Sequence, residues 1–257
     1  MLDRRPALGL SDDDRKEIHT MSASGRRSFY AGMSVALLLI VLAGFSRTLY
    51  LRPVFDVPDV PVYLLLHGVV LTAWFIGVVV QTTLVAAQRV GLHRRLGWIG
   101  FGLATAAIAF SLAATVMMLF SALAANPAGP LGGVVRIFWA NLAALLSCAV
   151  FLSVAAARRR QPDVHKRLML LAAIALVQPA MARIRQQWFP DIDGPLFAIV
   201  WLSLLVGAMA VHDVYERRSI HAATLIGGGF FLGSRLLAQY VVAPSGFGLA
   251  AIRAFIE

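Results

Sequence analysis

Two near-copies of one tetrapeptide carry the most reactive side chains of this chain: His93-Arg94-Arg95-Leu96 and His165-Lys166-Arg167-Leu168. Each sets a titratable imidazole beside two cations, just ahead of a run of roughly 20 apolar residues. With His212 and His221, and with Asp163, Asp213 and Glu216 near by, they form a candidate site at one membrane face. Imidazoles and carboxylates are ligands for zinc or iron, and a pair of imidazoles can hold haem iron. The flanking cations repel a bare metal ion and suit carboxylates or phosphates instead. The expected occupant is therefore haem or another anionic cofactor. His93 or His165 would ligate it, His212 would stand near, and Arg94, Arg95, Lys166 and Arg167 would hold its acid groups. The alternative is that both turns only anchor helix ends through snorkelling cations.

A second set lies within the apolar runs. His67, Trp74, Gln81 and Gln88 recur every seven residues, which predicts a polar stripe along one helix face that must look onto protein or water. Arg183 and Arg235 fall inside or near the middle of apolar runs, with Asn141, Gln178 and Gln239 at comparable depths. Arg47, Arg136 and Arg185 lie where they can snorkel to the surface. Arg235 is the sharpest case. A cation at mid-membrane costs at least about 2.5 kcal/mol on insertion scales and needs a partner. Carboxylates are scarce, with Asp191 and Asp193 the nearest outside the runs. This points to a small anion or lipid in an outward-facing cavity lined by His67, Trp74, Gln81, Asn141, Arg183, Arg235 and Gln239. No second histidine shares the depth of His67, so a haem held by two histidines is excluded there.

The elements that must position these groups follow from composition. The 257 residues are 59% hydrophobic and only 14% charged, against about 25% charged in an ordinary soluble domain. The fold class is all-α, a polytopic helical bundle of about seven transmembrane helices. The expected spans are 29–49, 62–87, 97–124, 134–157, 166–187, 195–214 and 223–243, each long enough for a hydrocarbon core of about 30 Å. Residues 1–28 read as a polar, disordered tail, with Met21 an alternative start, and 244–257 as a short outer segment. Asp163 is placed to N-cap the fifth span, and Pro179 to kink it by freeing the carbonyl of Ala175. Gly97, Gly100 and Gly102, and Gly229 with Gly233, are expected at close helix contacts. The net charge of +10 is spread over loops, so it favours anionic lipid as partner and no nucleic acid.

Sixteen of the 23 lysines and arginines fall in the tail and in the turns after spans two, four and six. The positive-inside rule then puts the N-terminus and both tetrapeptides in the cytoplasm and the C-terminus outside. Spans two and three, and spans four and five, pair as similar hairpins tipped by the tetrapeptides, a weak repeat of about 72 residues. The one cysteine, Cys148, lies in an apolar run, which excludes an internal disulfide and a CxxC metal motif. A catalytic triad, phosphate loop, HExxH helix and dinucleotide glycine pattern are all missing.

Several of these motifs together, across about residues 45–240, resemble a group of bacterial multi-pass inner-membrane proteins. They are Tyr50-Leu51-Arg52-Pro53-Val54-Phe55, Leu66-His67-Gly68, Gln81-Thr82 with Leu84-Val85, Leu92-His93-Arg94-Arg95-Leu96-Gly97, His165-Lys166-Arg167-Leu168-Met169 and Ala182-Arg183. That resemblance implies topology and no activity. A looser likeness to haem-handling bundles of the cytochrome b561 type implies transmembrane electron transfer; with the candidate haem site, the leading expectation is redox chemistry or respiratory-complex assembly with a membrane partner. The chain departs from those bundles by lacking an outer histidine pair.

Overall fold

The computed structural model describes residues 12–55, 57, 59–125 and 132–256, with side chains left undescribed at 12–27, 255 and 256. Every regular element among them is helical. Helix α1 runs Asp12–Phe45, α2 Arg52–Phe55, α3 Val62–Ala86, α4 Val90–Ala125 and α5 Gly132–Ala157. Then follow α6 Pro162–Leu176, α7 Gln178–Trp188, α8 Gly194–Arg217, α9 Ala222–Leu237 and α10 Gly246–Ile256. Six of them are long and apolar enough to cross a membrane, and α6 with α7 makes a seventh as one bent span. The chain is a multi-pass, all-helical membrane protein. Its first helix starts at Asp12, inside the segment expected to be a disordered tail.

Helix α6 is the centre. Leu168 and every residue from Leu170 to Val177 are buried, so no face of that stretch looks outward. Alanines 172, 173 and 175 let its neighbours α1, α5, α8 and α9 approach. Helices α3 and α4, and α5 and α6, pair as the expected hairpins, and α4 packs on α5. Their turns, with the α8–α9 turn, gather at what we term the basic end.

Pro179 breaks the fifth span as expected. It lies in the first turn of α7, the axes of α6 and α7 differ by 42°, and Val177 N–H reaches only to the Ile174 carbonyl at 3.4 Å. Asp163 does not cap the span. Gln161 occupies the cap and Asp163 sits in the first turn, where its carboxylate meets cations instead. Gln88 leaves the seven-residue stripe, because α3 ends at Ala86 and Gln88 adopts φ 61° in an exposed turn. That left-handed step lets Arg89 N–H bond the Leu84 carbonyl at 2.8 Å.

The glycines that matter are also not those expected. A Cβ at Gly97, Gly102, Gly229 or Gly233 would meet nothing within 4 Å, and one at Gly100 would only touch Gln81 at 3.9 Å. Close approach occurs at Gly44, where a Cβ would lie 2.5 Å from the Ala180 carbonyl oxygen and 2.8 Å from its Cα. Here α1 crosses α7 backbone to backbone. Two π turns lengthen spans beyond their α-helices: Leu51 N–H bonds the Ser46 carbonyl at 2.8 Å, and Ala243 N–H bonds Ala238 at 3.0 Å.

Gly44→Ala should therefore lower thermal stability in detergent by about 1–3 kcal/mol, the cost of overpacking. Gly233→Ala should be neutral or stabilising by up to about 1 kcal/mol through helix propensity. Equal losses at both positions would refute the α1–α7 crossing.

Candidate functional site

The basic end is built on one buried ion pair. Arg167 begins the fully packed stretch of α6, and Asp213 lies in the last turn of α8; their side chains are 2% and 1% exposed. Arg167 Nε donates to the two carboxylate oxygens at 2.9 and 3.3 Å, and its Nη2 donates to Oδ1 as well. Nη1 turns back one helical turn to the Asp163 carbonyl at 2.7 Å and carboxylate at 3.3 Å. Asp213 Oδ2 also accepts from Thr224 Oγ1 at 2.6 Å and from His221 N–H at 3.2 Å. The pair thus joins α6, α8 and α9, and its hydrogen-bonding capacity is well used. Asp163 gathers Lys166 at 2.7 Å and Arg217 at 3.8 Å around the rim.

This network absorbs part of the set read from sequence. Arg167 is buried and occupied by Asp213, so it has no arm left for a ligand's acid group. Lys166 pairs with Asp163 and lies 5.2 Å over the Tyr30 ring. His212 stacks flat on Phe29, with centroids 3.9 Å apart and planes 7° off parallel. His221 caps α9 by accepting from Ala223 N–H through Nδ1 at 3.0 Å. Among the described residues, no three His, Cys, Asp or Glu side chains gather as a metal site.

His93 and His165 do meet. Their rings are 6.4 Å apart, edge to face at 81°, across the seam between α4 and α6. His165 Nδ1 is 2.9 Å from the Ala155 carbonyl. A carbonyl only accepts, so this nitrogen carries the proton and Nε2 of the neutral ring keeps its lone pair. His93 Nδ1 and Gln81 Oε1 are buried without a hydrogen-bond partner. Arg94 and Arg95 follow on the exposed side of α4.

The interior set divides. His67 Nδ1 lies 3.5 Å from Ser111 Oγ, Thr115 Oγ1 donates to the Ser111 carbonyl at 2.8 Å, and Asn141 Nδ2 donates to Thr115 Oγ1 at 3.4 Å. Arg235, 5% exposed, donates to the carbonyl of Ala140, the residue before Asn141. Four helices are thus linked by one polar seam. Trp74 is 2% exposed, edge-on to Phe75 in the core, and Arg183 lies 5.0 Å over Phe45 on the α1 side. Gln239 is half-buried in the π turn after Arg235. Asp193, considered as a partner for Arg235, caps α8 through Leu196 N–H at 2.9 Å. Arg185 holds the carbonyls of Pro190 and Ile192 at 2.9 and 2.8 Å. Two surface clefts of about 350 and 340 Å³, the first beside Phe197 and Trp201 and the second beside Phe138 and Trp139, have apolar walls and include none of the expected site residues.

Sequence reading missed Thr224, Tyr30, Ser111 and Thr115. The last two were visible as hydroxyls one turn apart in an apolar run, a spacing that puts them on one face. Thr224 carried no such signal, because its role depends on a carboxylate from another helix.

Two measurements test the network. Asp213→Ala should destabilise by about 3–5 kcal/mol, since it leaves Arg167 buried and unpaired. A loss no larger than that of the surface substitution Asp59→Ala would refute it. His221 can cap only while Nδ1 is unprotonated, and burial holds its pKa below the ordinary value, with Arg167 and Arg217 adding to the effect. The unfolded ring takes up its proton first, near pH 6.5. Its contribution to stability is therefore full above that pH and fades as pH falls toward the folded-state pKa. His221→Asn keeps the cap and should flatten that part of the stability–pH profile.

Comparison with protein-family models, curated proteins and solved structures finds no match for this chain. Helix length, hydropathy and packing identify it as a polytopic helical membrane protein.

Proposed function

We propose that this protein binds an anionic cofactor between its paired histidine turns, and that haem is the occupant which uses both the imidazoles and the cations. The observation that carries the proposal is the meeting of His93 and His165, 72 residues apart in the chain, at 6.4 Å. The protonated Nδ1 of His165, fixed by the Ala155 carbonyl, leaves Nε2 as a ligating lone pair, the usual outer-shell arrangement of a ligand histidine. His93 has a buried nitrogen in need of a partner. Arg94 and Arg95 pair with no carboxylate among the described residues, which leaves them to hold propionates or phosphates. With Lys166, Arg167 and His212 engaged elsewhere, the ligand set narrows to these four residues.

Bound haem supplies one-electron chemistry tuned by its axial ligands. The protein's part is to fix the imidazole tautomer, present the cations and seat the group at the membrane boundary. On the positive-inside rule that boundary faces the cytoplasm, and the membrane we propose is the bacterial inner membrane. A redox step, or a role in assembling a respiratory complex, is the corresponding biological setting.

The test is an absorption spectrum of detergent-purified protein, oxidised and then dithionite-reduced, with metal analysis. A Soret band lost in His93→Ala and His165→Ala is the expected result. Wild-type protein without a Soret band or stoichiometric metal eliminates haem. A bound cofactor that survives both substitutions but is lost in His67→Ala moves the site into the interior.

A further inference from the structure

Arg235 is a cation inside the membrane with no counter-ion on any helix that carries the polar seam. It lies seven residues, or about 10 Å, before the end of its span at Val242. It points into the bundle at 5% exposure, so it does not snorkel. Helices α3, α4, α5 and α9 contain no Asp or Glu at all. The carboxylates of α6 and α8, Asp163, Asp213 and Glu216, lie at the basic end, the opposite end of the bundle. A guanidinium does not shed its proton in a protein, so the charge stays and must be balanced. Among the described residues its one hydrogen bond is to the Ala140 carbonyl, a dipole that satisfies one donor of five.

Further polar groups lie beside it. Asn141 follows the carbonyl that Arg235 grips, and from it the seam runs through Thr115 and Ser111 to His67. His67 lies five residues from the start of α3 at Val62, about 7 Å deep on the far side from the basic end. Just past Arg235, α9 gives way to the π turn at Ala238–Val242, which carries Gln239. Such turns recur where a helix is reshaped around a site.

From this geometry we infer that Arg235 is the cationic centre of an interior oxyanion site, completed by Asn141 and reached along the His67–Ser111–Thr115 seam. The ligand class is a carboxylate or phosphate group, which the planar guanidinium can take with two parallel N–H donors. The group can belong to a small soluble anion or to a lipid headgroup drawn in from the far face. This site is separate from the paired histidines and stands whether or not they hold a cofactor. Arg183 lies elsewhere and does not contribute.

The experiment follows tryptophan fluorescence during thermal unfolding of the full chain in neutral detergent. Acetate, inorganic phosphate and phosphatidylglycerol are titrated in, with chloride and phosphatidylcholine as controls. The expected result is a saturable rise in Tm of about 2–4 °C with at least one oxyanion probe. A response to acetate or phosphate marks a soluble ligand, and a response to phosphatidylglycerol alone marks a headgroup. Arg235→Gln should abolish the rise. Arg235→Lys keeps the charge but loses the paired donors, so its midpoint concentration should increase about tenfold or more. Arg159→Ala/Arg160→Ala, which removes two exposed cations from the α5–α6 turn, should behave as wild type. Absence of any rise in wild-type protein overturns the inference, independently of whether Arg235→Gln folds. So does a rise that survives Arg235→Gln, which would put the anion at another site, the basic end included.

Discussion

The fold turns on a helix whose fully packed stretch, with no outward face, begins with an arginine. A buried guanidinium is tolerated only when its donors are matched, and Asp213 matches Arg167 from another helix. That single requirement fixes the axial register of α8 against α6, because a shift of one turn would move the carboxylate by about 5.4 Å. Thr224 and the His221 N–H then draw α9 to the same point. Replacing the pair with apolar residues of similar volume could preserve stability, but it would remove the feature that tells these three helices where to stop sliding.

With register fixed at one end, the rest of the bundle can be packed from small and apolar residues alone. Alanines in α6 and the bare backbone at Gly44 set the helix spacings. The polar groups left over fall into two sets at opposite ends. One is the paired histidines beside exposed arginines, and the other is the seam that ends at Arg235. The first is open to charged groups at the membrane boundary. The second is enclosed, so its electrostatics are far less screened.

Sequence made the spans legible because apolar runs of this length suit little besides a bilayer, and Pro179 located the break in the fifth. It also singled out His93, His165, Asn141 and Arg235, since polar residues in or beside apolar runs need a reason. What it left hidden were pairings between helices. The same motif places Lys166 and Arg167 side by side, yet a helix turns about 100° per residue, so one reaches the rim while the other is buried under α8. Gln88 looked like the fourth member of a stripe only because periodicity does not reveal where a helix ends. The glycines misled for a similar reason. Spacing such as Gly229 and Gly233 shows which positions could pack closely, and only the neighbours decide which do.

The double attachment of Arg167 also bears on the order in which the bundle is built. Helices enter a membrane in chain order during synthesis, so α6 arrives before α8 and α9 exist to receive its charge. At that stage Asp163, one turn away on the same helix, is the partner within reach. Its carbonyl and carboxylate can keep Arg167 at the water boundary until Asp213 comes into place. Asp163 therefore gives Arg167 a partner on its own helix that does not depend on α8 or α9, and it lies at the rim of the finished bundle. The joint that the last two spans complete thus has half of its contacts within the fifth span itself.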